Sequence, residues 1–364
     1  MRITESGRVL SIVLAAMFGL QGCGGESRAV VAADSSEQWA LSSPAEQGMD
    51  PALLASAVSD LPSAPQHKLA SMLVLRHGKP VLEQYWNGYD QNTLHDLRSA
   101  TKSITALLTG IAIDQHMLAG VDEPISTYLA ASYPGAPALR RKITIAHILM
   151  MRSGLACNDW DVSSPGNEST MYETGDWVGF VMNLASVVDP GTVTQYCTGG
   201  PVVMGRIIAG ASKKPIPQFA DTYLFGPLGI KNARWADFDQ HRQTDTGGHI
   251  QLRPRDMAKL GQLVLQRGAW NGVQLVSESW IAQATAKHTQ FSDGSPYGYL
   301  WWQRPMSYKG RQVTMNYADG NGGQYIFVVP ELDLVAVFTG ENYDSNSATR
   351  AFTIMSRYIL PAVQ

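Results

Sequence analysis

Hydrophobic and polar positions change their spacing several times along this chain, and each change predicts a different element. Asp50-Pro51 opens a periodic stretch, Ala52 to Leu61, that predicts an amphipathic helix with an Asp cap and a first-turn proline. Ser71 to Arg76 and Pro80 to Trp86 are two short runs separated by His77-Gly78-Lys79, which predicts a β-hairpin. Ser103 to His116 is apolar almost all round and broken only by Gly110, so it predicts a buried helix. From Pro124 to Gln240 helical pieces are interrupted by Gly and Pro, with long loops such as Asn158 to Asn167. A further helix starts around Leu252-Arg253-Pro254 and runs to Gln266. Then the pattern turns strand-like, in Tyr297 to Trp302, Tyr325 to Val329 and Leu334 to Phe338, with Pro330 to Asp333 a connector of hairpin length. Ala348 to Leu360 closes as a helix. Strands at both ends with helices between them predict an α+β fold. Its antiparallel sheet, flanked by helices, draws on residues of about 44–120 and 245–364 and carries an inserted, mainly helical subdomain of about 121–244.

The N-terminus follows other rules. Arg2 and Arg8 precede an apolar run from Val9 to Leu20, too short to span a bilayer but suited to a secretory signal peptide over residues 1–22. The run ends in Leu20-Gln21-Gly22-Cys23, which resembles a bacterial lipobox; Cys23 would then be the lipidated first residue of the mature protein. An ordinary signal peptide cleaved nearby is the alternative. Residues 23–43 are small and polar and read as a tether to the remainder, 44–364. These features predict a protein of the bacterial cell envelope, held on the periplasmic or extracellular side of a membrane by its lipid.

Composition adds little beyond this. In 364 residues, 45% are hydrophobic, enough for a substantial core, and the formal net charge of -3 shows no basic stripe for nucleic acid. No protein partner is legible. With Cys23 assigned to lipid, Cys157 and Cys197 remain as an even pair in an oxidising compartment, where a disulfide persists; two unpaired buried thiols are the alternative.

Three places carry candidate chemistry. Ser99-Ala100-Thr101-Lys102 heads the buried helix, and residues three apart share a helix face, so the lysine amine can reach the serine hydroxyl. A desolvated lysine there can serve as base, and a lysine at the mouth of an apolar helix needs a partner. A capping serine with an exposed lysine would fit the tetrapeptide alone. Tyr196-Cys197-Thr198 precedes a glycine pair and the helix Val202 to Ala211, which places a tyrosine on a loop suited to a cleft or, more plainly, to packing. Asp319-Gly320-Asn321-Gly322-Gly323-Gln324 leads into a strand; its glycines allow close approach of a ligand or simply make a hairpin turn. No His/Cys cluster has metal-ligand spacing, and no cofactor is called for. His95, near Ser99, is read as structural.

In this order the three resemble the serine β-lactamase and penicillin-binding protein superfamily, in its branch of class C β-lactamases, esterases and 6-aminohexanoate-dimer hydrolases. That family uses Ser-x-x-Lys, a Tyr-x-Asn or Tyr-x-Ser, and a Lys/His-Thr/Ser-Gly strand motif. Leu149 to Leu155 and Leu252 to Ala258 resemble two further family segments. The resemblance implies Ser99 as nucleophile and Lys102 with Tyr196 as the proton-transfer pair. It also implies that Thr198 holds Lys102, and that an oxyanion and substrate site is formed by Ser99, Asn321, Gly322, Gly323 and Gln324, with the N–H groups of Ser99 and Gln324 as donors. Asn321-Gly322-Gly323 lacks the cation or histidine that heads the family's strand motif. That departure argues for small-molecule esters or neutral amides, with a D-stereospecific peptidase or β-lactamase, or a weakly catalytic peptidoglycan-binding lipoprotein, as alternatives.

Overall fold

A computed structural model describes residues 39–61, 67–235 and 239–364. The segments expected to be a signal peptide and most of a tether, with Cys23 as the expected lipidation site, lie outside the described residues. Eight strands form the main sheet: β1 Leu69–Arg76, β2 Lys79–Tyr85, β3 Thr289–Gln290, β4 Pro296–Tyr297, β5 Trp302–Tyr308, β6 Arg311–Gly320, β7 Gln324–Val329 and β8 Leu334–Gly340. Their order is β2-β1-β8-β7-β6-β5-β4-β3, and every pairing is antiparallel. Strands from the two ends of the chain therefore meet at β1 and β8, the arrangement expected of an α+β fold with helices inserted between its sheet-forming segments.

The central strands read as continuous apolar runs because both their faces are covered. In β7, Ile326 and Val328 pack with one core while Tyr325, Phe327 and Val329 pack with the other, and β8 alternates the same way. The first core is capped by α2 Thr101–Asp114, α3 Gly199–Ser212 and α4 Pro254–Leu265. The second is capped by α1 Pro51–Ser59 and the C-terminal helical segments from Arg350 to Ala362. α1 begins as its sequence requires, with the Asp50 carboxylate accepting from the N–H groups of Ala52 and Leu53. α4 lies against the sheet because Gly261 has no side chain: a Cβ there would stand 2.7 Å from Val335 and 2.8 Å from Ile326.

One expectation needs correction. The run Tyr297 to Trp302 is not a single strand. β4 ends at Tyr297, the chain turns at Leu300 (φ 59), and a long hairpin, β5 and β6, begins at Trp302. Leu300 is pulled out of line by two bonds: its N–H donates to the Leu149 carbonyl at 3.0 Å, and its own carbonyl accepts from Ser103 Oγ at 2.7 Å. That departure shapes the site.

Candidate active site

Ser99 sits where a short bridge strand, His95–Asp96, turns into α2. The turn is tight, with Arg98 at φ 49, and it is held by Asp96, whose carboxylate takes the Arg98 N–H at 2.9 Å and the Arg98 Nε at 3.1 Å. Asp96 also takes His249 Nδ1 at 2.9 Å, so one carboxylate ties the Ser99 turn to the segment leading into α4. The result leaves Ser99 half-buried and accessible at the first turn, where helix N–H groups have no intrahelical acceptor.

Lys102, one turn on, is 1% exposed. Its Nζ donates to Ser99 Oγ at 2.9 Å and to the Gly247 carbonyl at 2.7 Å. Burial pushes its ammonium well down from the ordinary lysine range, opposed only in part by the carboxylates of Glu168, Asp159, Asp245 and Asp319. The Tyr196 ring lies 4.8 Å from that nitrogen, and its phenol hydrogen-bonds Ser99. Burial pushes the phenol far up, so it stays protonated. Ser99, Lys102 and Tyr196 thus converge, as the sequence predicted for these three side chains.

Thr198 does something other than expected. Its hydroxyl donates to Glu168 Oε2 at 2.8 Å and its N–H to Asp159 Oδ2 at 2.6 Å, because it opens α3 and its polar groups face the loop bearing those acids. The acceptor that steadies Lys102 is Gly247. That carbonyl is fixed by Asp245, which takes the N–H groups of Gly247 and Gly248 at 2.9 and 2.8 Å and the Tyr172 hydroxyl at 2.8 Å. Burial raises the Asp245 carboxyl to about 6. An aspartate two residues ahead of a glycine pair is a turn signal that could have marked this loop.

The glycine-rich hairpin also differs from expectation. Asn321 Nδ2 donates to Asp344 Oδ1 at 2.8 Å, Gly322 bridges Asn342, and the Gln324 side chain is clamped on Gly340 of β8. Gln324 opposes Gly320 across the ladder, so its backbone faces its own hairpin partner and not the cleft. The cleft-facing edge belongs to β6. The two-residue turn Lys309-Gly310 aims the backbone groups of Arg311, Val313, Met315 and Tyr317 at β5, and the alternation carries on to Asp319 and then Asn321. Pairing with β5 stops at Trp302–Tyr317, so beyond it this edge is open. Gly320 lets the strand press against the Ser99 turn, since a Cβ there would meet the Leu97 carbonyl at 2.1 Å.

Aromatic rings form the opposite wall. Trp160, 58% exposed, stacks on Tyr196 at 5.3 Å and lies 4.9 Å from Phe291, which in turn stacks on Trp302 at 4.9 Å. The two family-like segments are scaffolding. The Leu149 and Met151 carbonyls take the N–H groups of Leu300 and Gln195, and Arg253 pairs with the buried Asp256 at 2.7 Å. His95 is buried against Tyr89 with ring centroids 5.0 Å apart, as a structural residue would be.

A Beta-lactamase family profile matches residues 54–353. The chain belongs to the beta-lactamase family. It is 23% identical over 322 residues to a 6-aminohexanoate-dimer hydrolase of Paenarthrobacter ureafaciens, covering 81% of this chain and 78% of that one. Among solved structures it resembles a family VIII carboxylesterase (TM-score 0.66, 14% identity, 88% of this chain and 98% of that one). It also resembles an octameric penicillin-binding protein homologue from Pyrococcus abyssi (TM-score 0.63, 18% identity, 86% and 78%). The family match places it in a hydrolase superfamily that also includes amide and ester hydrolases.

Cys157 and Cys197 form a disulfide, with Cα atoms 5.4 Å apart, that closes a separation of 40 residues and pins the Tyr196 loop to the segment leading to Trp160. Replacing both by serine is expected to cost about 2–4 kcal/mol of stability and to slow acylation by loosening the tyrosine. Thermal unfolding beside an ester assay checks this. An unchanged melting temperature would mean that the Asp159 and Glu168 bonds to Thr198 hold the loop without it.

Proposed function

We propose that this protein is a serine hydrolase in which Ser99 forms an acyl-enzyme on esters or neutral amides. The observation that carries the proposal is the fully buried Lys102 amine bonded to Ser99 Oγ at 2.9 Å, with the Tyr196 phenol on the same oxygen. An amine made less basic by burial accepts the Ser99 proton as its oxygen attacks the carbonyl carbon. A phenol that stays protonated passes a proton to the leaving oxygen or nitrogen. Water then attacks the acyl carbon, giving its proton back through the same pair, and the carbon–Oγ bond breaks to restore Ser99.

The oxyanion would sit between the Ser99 N–H and the Asn321 N–H at the open edge of β6. Neither Asp319 nor Asn321 on that edge offers a cation to the carboxylate of a β-lactam or a peptide terminus, and the neighbouring Arg98 is engaged by Asp96 and the Tyr343 ring. This disfavours the peptidase and β-lactamase alternatives.

The test is a fluorophosphonate label mapped by peptide mass spectrometry, with a panel of p-nitrophenyl esters, amino-acid amides and nitrocefin. Labelling at Ser99 with ester turnover is expected, and nitrocefin should turn over poorly. A label on another residue, or nitrocefin as the best substrate, would overturn the proposal. Tyr196→Phe should slow acylation by about 10²-fold. An unaltered rate in that variant would leave Lys102 carrying proton transfer alone.

A further inference from the structure

The second residue of β6 beyond the end of its pairing with β5 is charged. Asp319 is part-exposed at the open edge, opposite Tyr325 in the ladder, and its carboxyl takes the Tyr325 phenol. Its charge bears on Tyr196, Tyr297 and Tyr317, and on Lys102 less than those of Glu168, Asp159 and Asp245 do.

The other acids around Lys102 are committed to the protein. Asp159 takes the N–H groups of Thr198 and Glu168, Glu168 takes the Thr198 hydroxyl, and Asp245 takes Tyr172, Gly247 and Gly248. A carboxylate accepts about four hydrogen bonds, so Asp319, holding one phenol, has room for a donor from a ligand; Glu168 also takes a single hydroxyl, and what sets Asp319 apart is its place at the open edge of β6. Lys102 does not move to that carboxylate as a counter-ion, because it is buried and its amine is held by Ser99 and the Gly247 carbonyl.

A second feature points the same way. The wall across the cleft is aromatic and partly open, from Trp160 over Tyr196 and Phe291 to Trp302, and Trp302 stacks on Tyr317 at 6.2 Å, two residues before Asp319. Ring faces beside a carboxylate are the surroundings in which an organic ammonium is recognised.

We infer that Asp319 makes this enzyme select substrates bearing an ammonium group near the scissile ester or amide, with the aromatic wall as the second half of the cation site. The inference rests on Ser99 being the nucleophile. It adds the substrate's charge. Burial raises the Asp319 carboxyl to about 7, so the selection is measured at a pH well above that, where the group is ionised.

The experiment compares three p-nitrophenyl esters of equal acyl length, ending in trimethylammonium, in its neutral tert-butyl isostere and in a carboxylate. The wild type should favour the cationic ester over the isostere by about tenfold in kcat/KM, the equivalent of one modest charge pair, and should handle the anionic ester worst. Asp319→Asn should bring the cationic-to-neutral ratio close to one; reading a ratio cancels any loss common to both esters. A wild type that treats the three esters alike, or prefers the anionic one, overturns the inference without any variant. So does a ratio that Asp319→Asn leaves unchanged. In both cases Ser99 labelling persists, which separates this failure from that of the nucleophile assignment, in which Ser99 takes no label and none of the esters turns over.

Discussion

Ser99→Ala is expected to abolish fluorophosphonate labelling and to lower ester turnover by at least about 10⁴-fold, because groups that act as one unit fail together when the nucleophile is lost. Without Oγ, neither the Lys102 amine nor the Tyr196 phenol has an oxygen to exchange protons with, and the only catalysis left is carbonyl polarisation by N–H groups. The variant should fold normally. Ser99 is half-buried, and its hydroxyl is bonded only within the site, to Lys102 and Tyr196. The lysine keeps its 2.7 Å bond to the Gly247 carbonyl, so no buried donor is left wholly without a partner. A pre-steady-state assay of p-nitrophenol release decides the matter: a surviving burst in Ser99→Ala would place the acyl group on another side chain.

The contact of Ser99 with Lys102 was legible because its geometry is local. A spacing of three puts Ser99 and Lys102 on one helix face whatever the rest of the chain does. The tyrosine was legible only through its resemblance to a family motif, since nothing in the residues around Tyr196 says which loop it faces. The partners that tune the lysine were not legible at all. Gly247 lies 145 residues away and acts through its carbonyl, a group every residue has. Thr198 was given the wrong partner for a related reason. A hydroxyl at the head of a helix bonds whichever acceptor the fold brings, and the loop carrying Asp159 and Glu168 arrives first.

The missed hairpin is a case of weak pattern. β5 holds Pro305 and buries only Met306 and Tyr308, so it lacks the apolar run that marked β7 and β8. β6 does alternate, with Val313, Met315 and Tyr317 facing the second core and Thr314 and Asn316 between them. That period of two, together with the Lys309-Gly310 turn, was a usable signal. Without β6 the glycine motif had no strand edge to be measured against, which is why Gln324 was assigned a position that Asn321 occupies better.

Lys102→Met should pull activity and stability in opposite directions. Acylation should fall by about 10³-fold or more, since the thioether cannot take the Ser99 proton. Stability should respond through linkage. Burial depresses the folded-state pKa of Lys102 below its ordinary 10.5, and the carboxylates of Glu168, Asp159, Asp245 and Asp319 offset that only in part. Between the depressed value and 10.5 the unfolded chain binds a proton that the folded chain has released, so wild-type stability rises with pH across this window. Below the window the folded protein carries the full penalty of a buried ammonium.

Methionine removes that penalty while keeping most of the side-chain volume. It also leaves the Gly247 carbonyl without its donor, at about 1 kcal/mol or somewhat more. The variant should therefore melt higher than the wild type near and below neutral pH, lose its advantage as the pH climbs, and melt lower by about pH 10.5, where only the lost hydrogen bond remains. Melting temperatures of both proteins across this range, beside their acylation rates, test the two halves separately. Parallel stability curves would mean that Lys102 keeps an ordinary pKa in the folded protein. The base would then have to be generated by substrate binding and not by the fold.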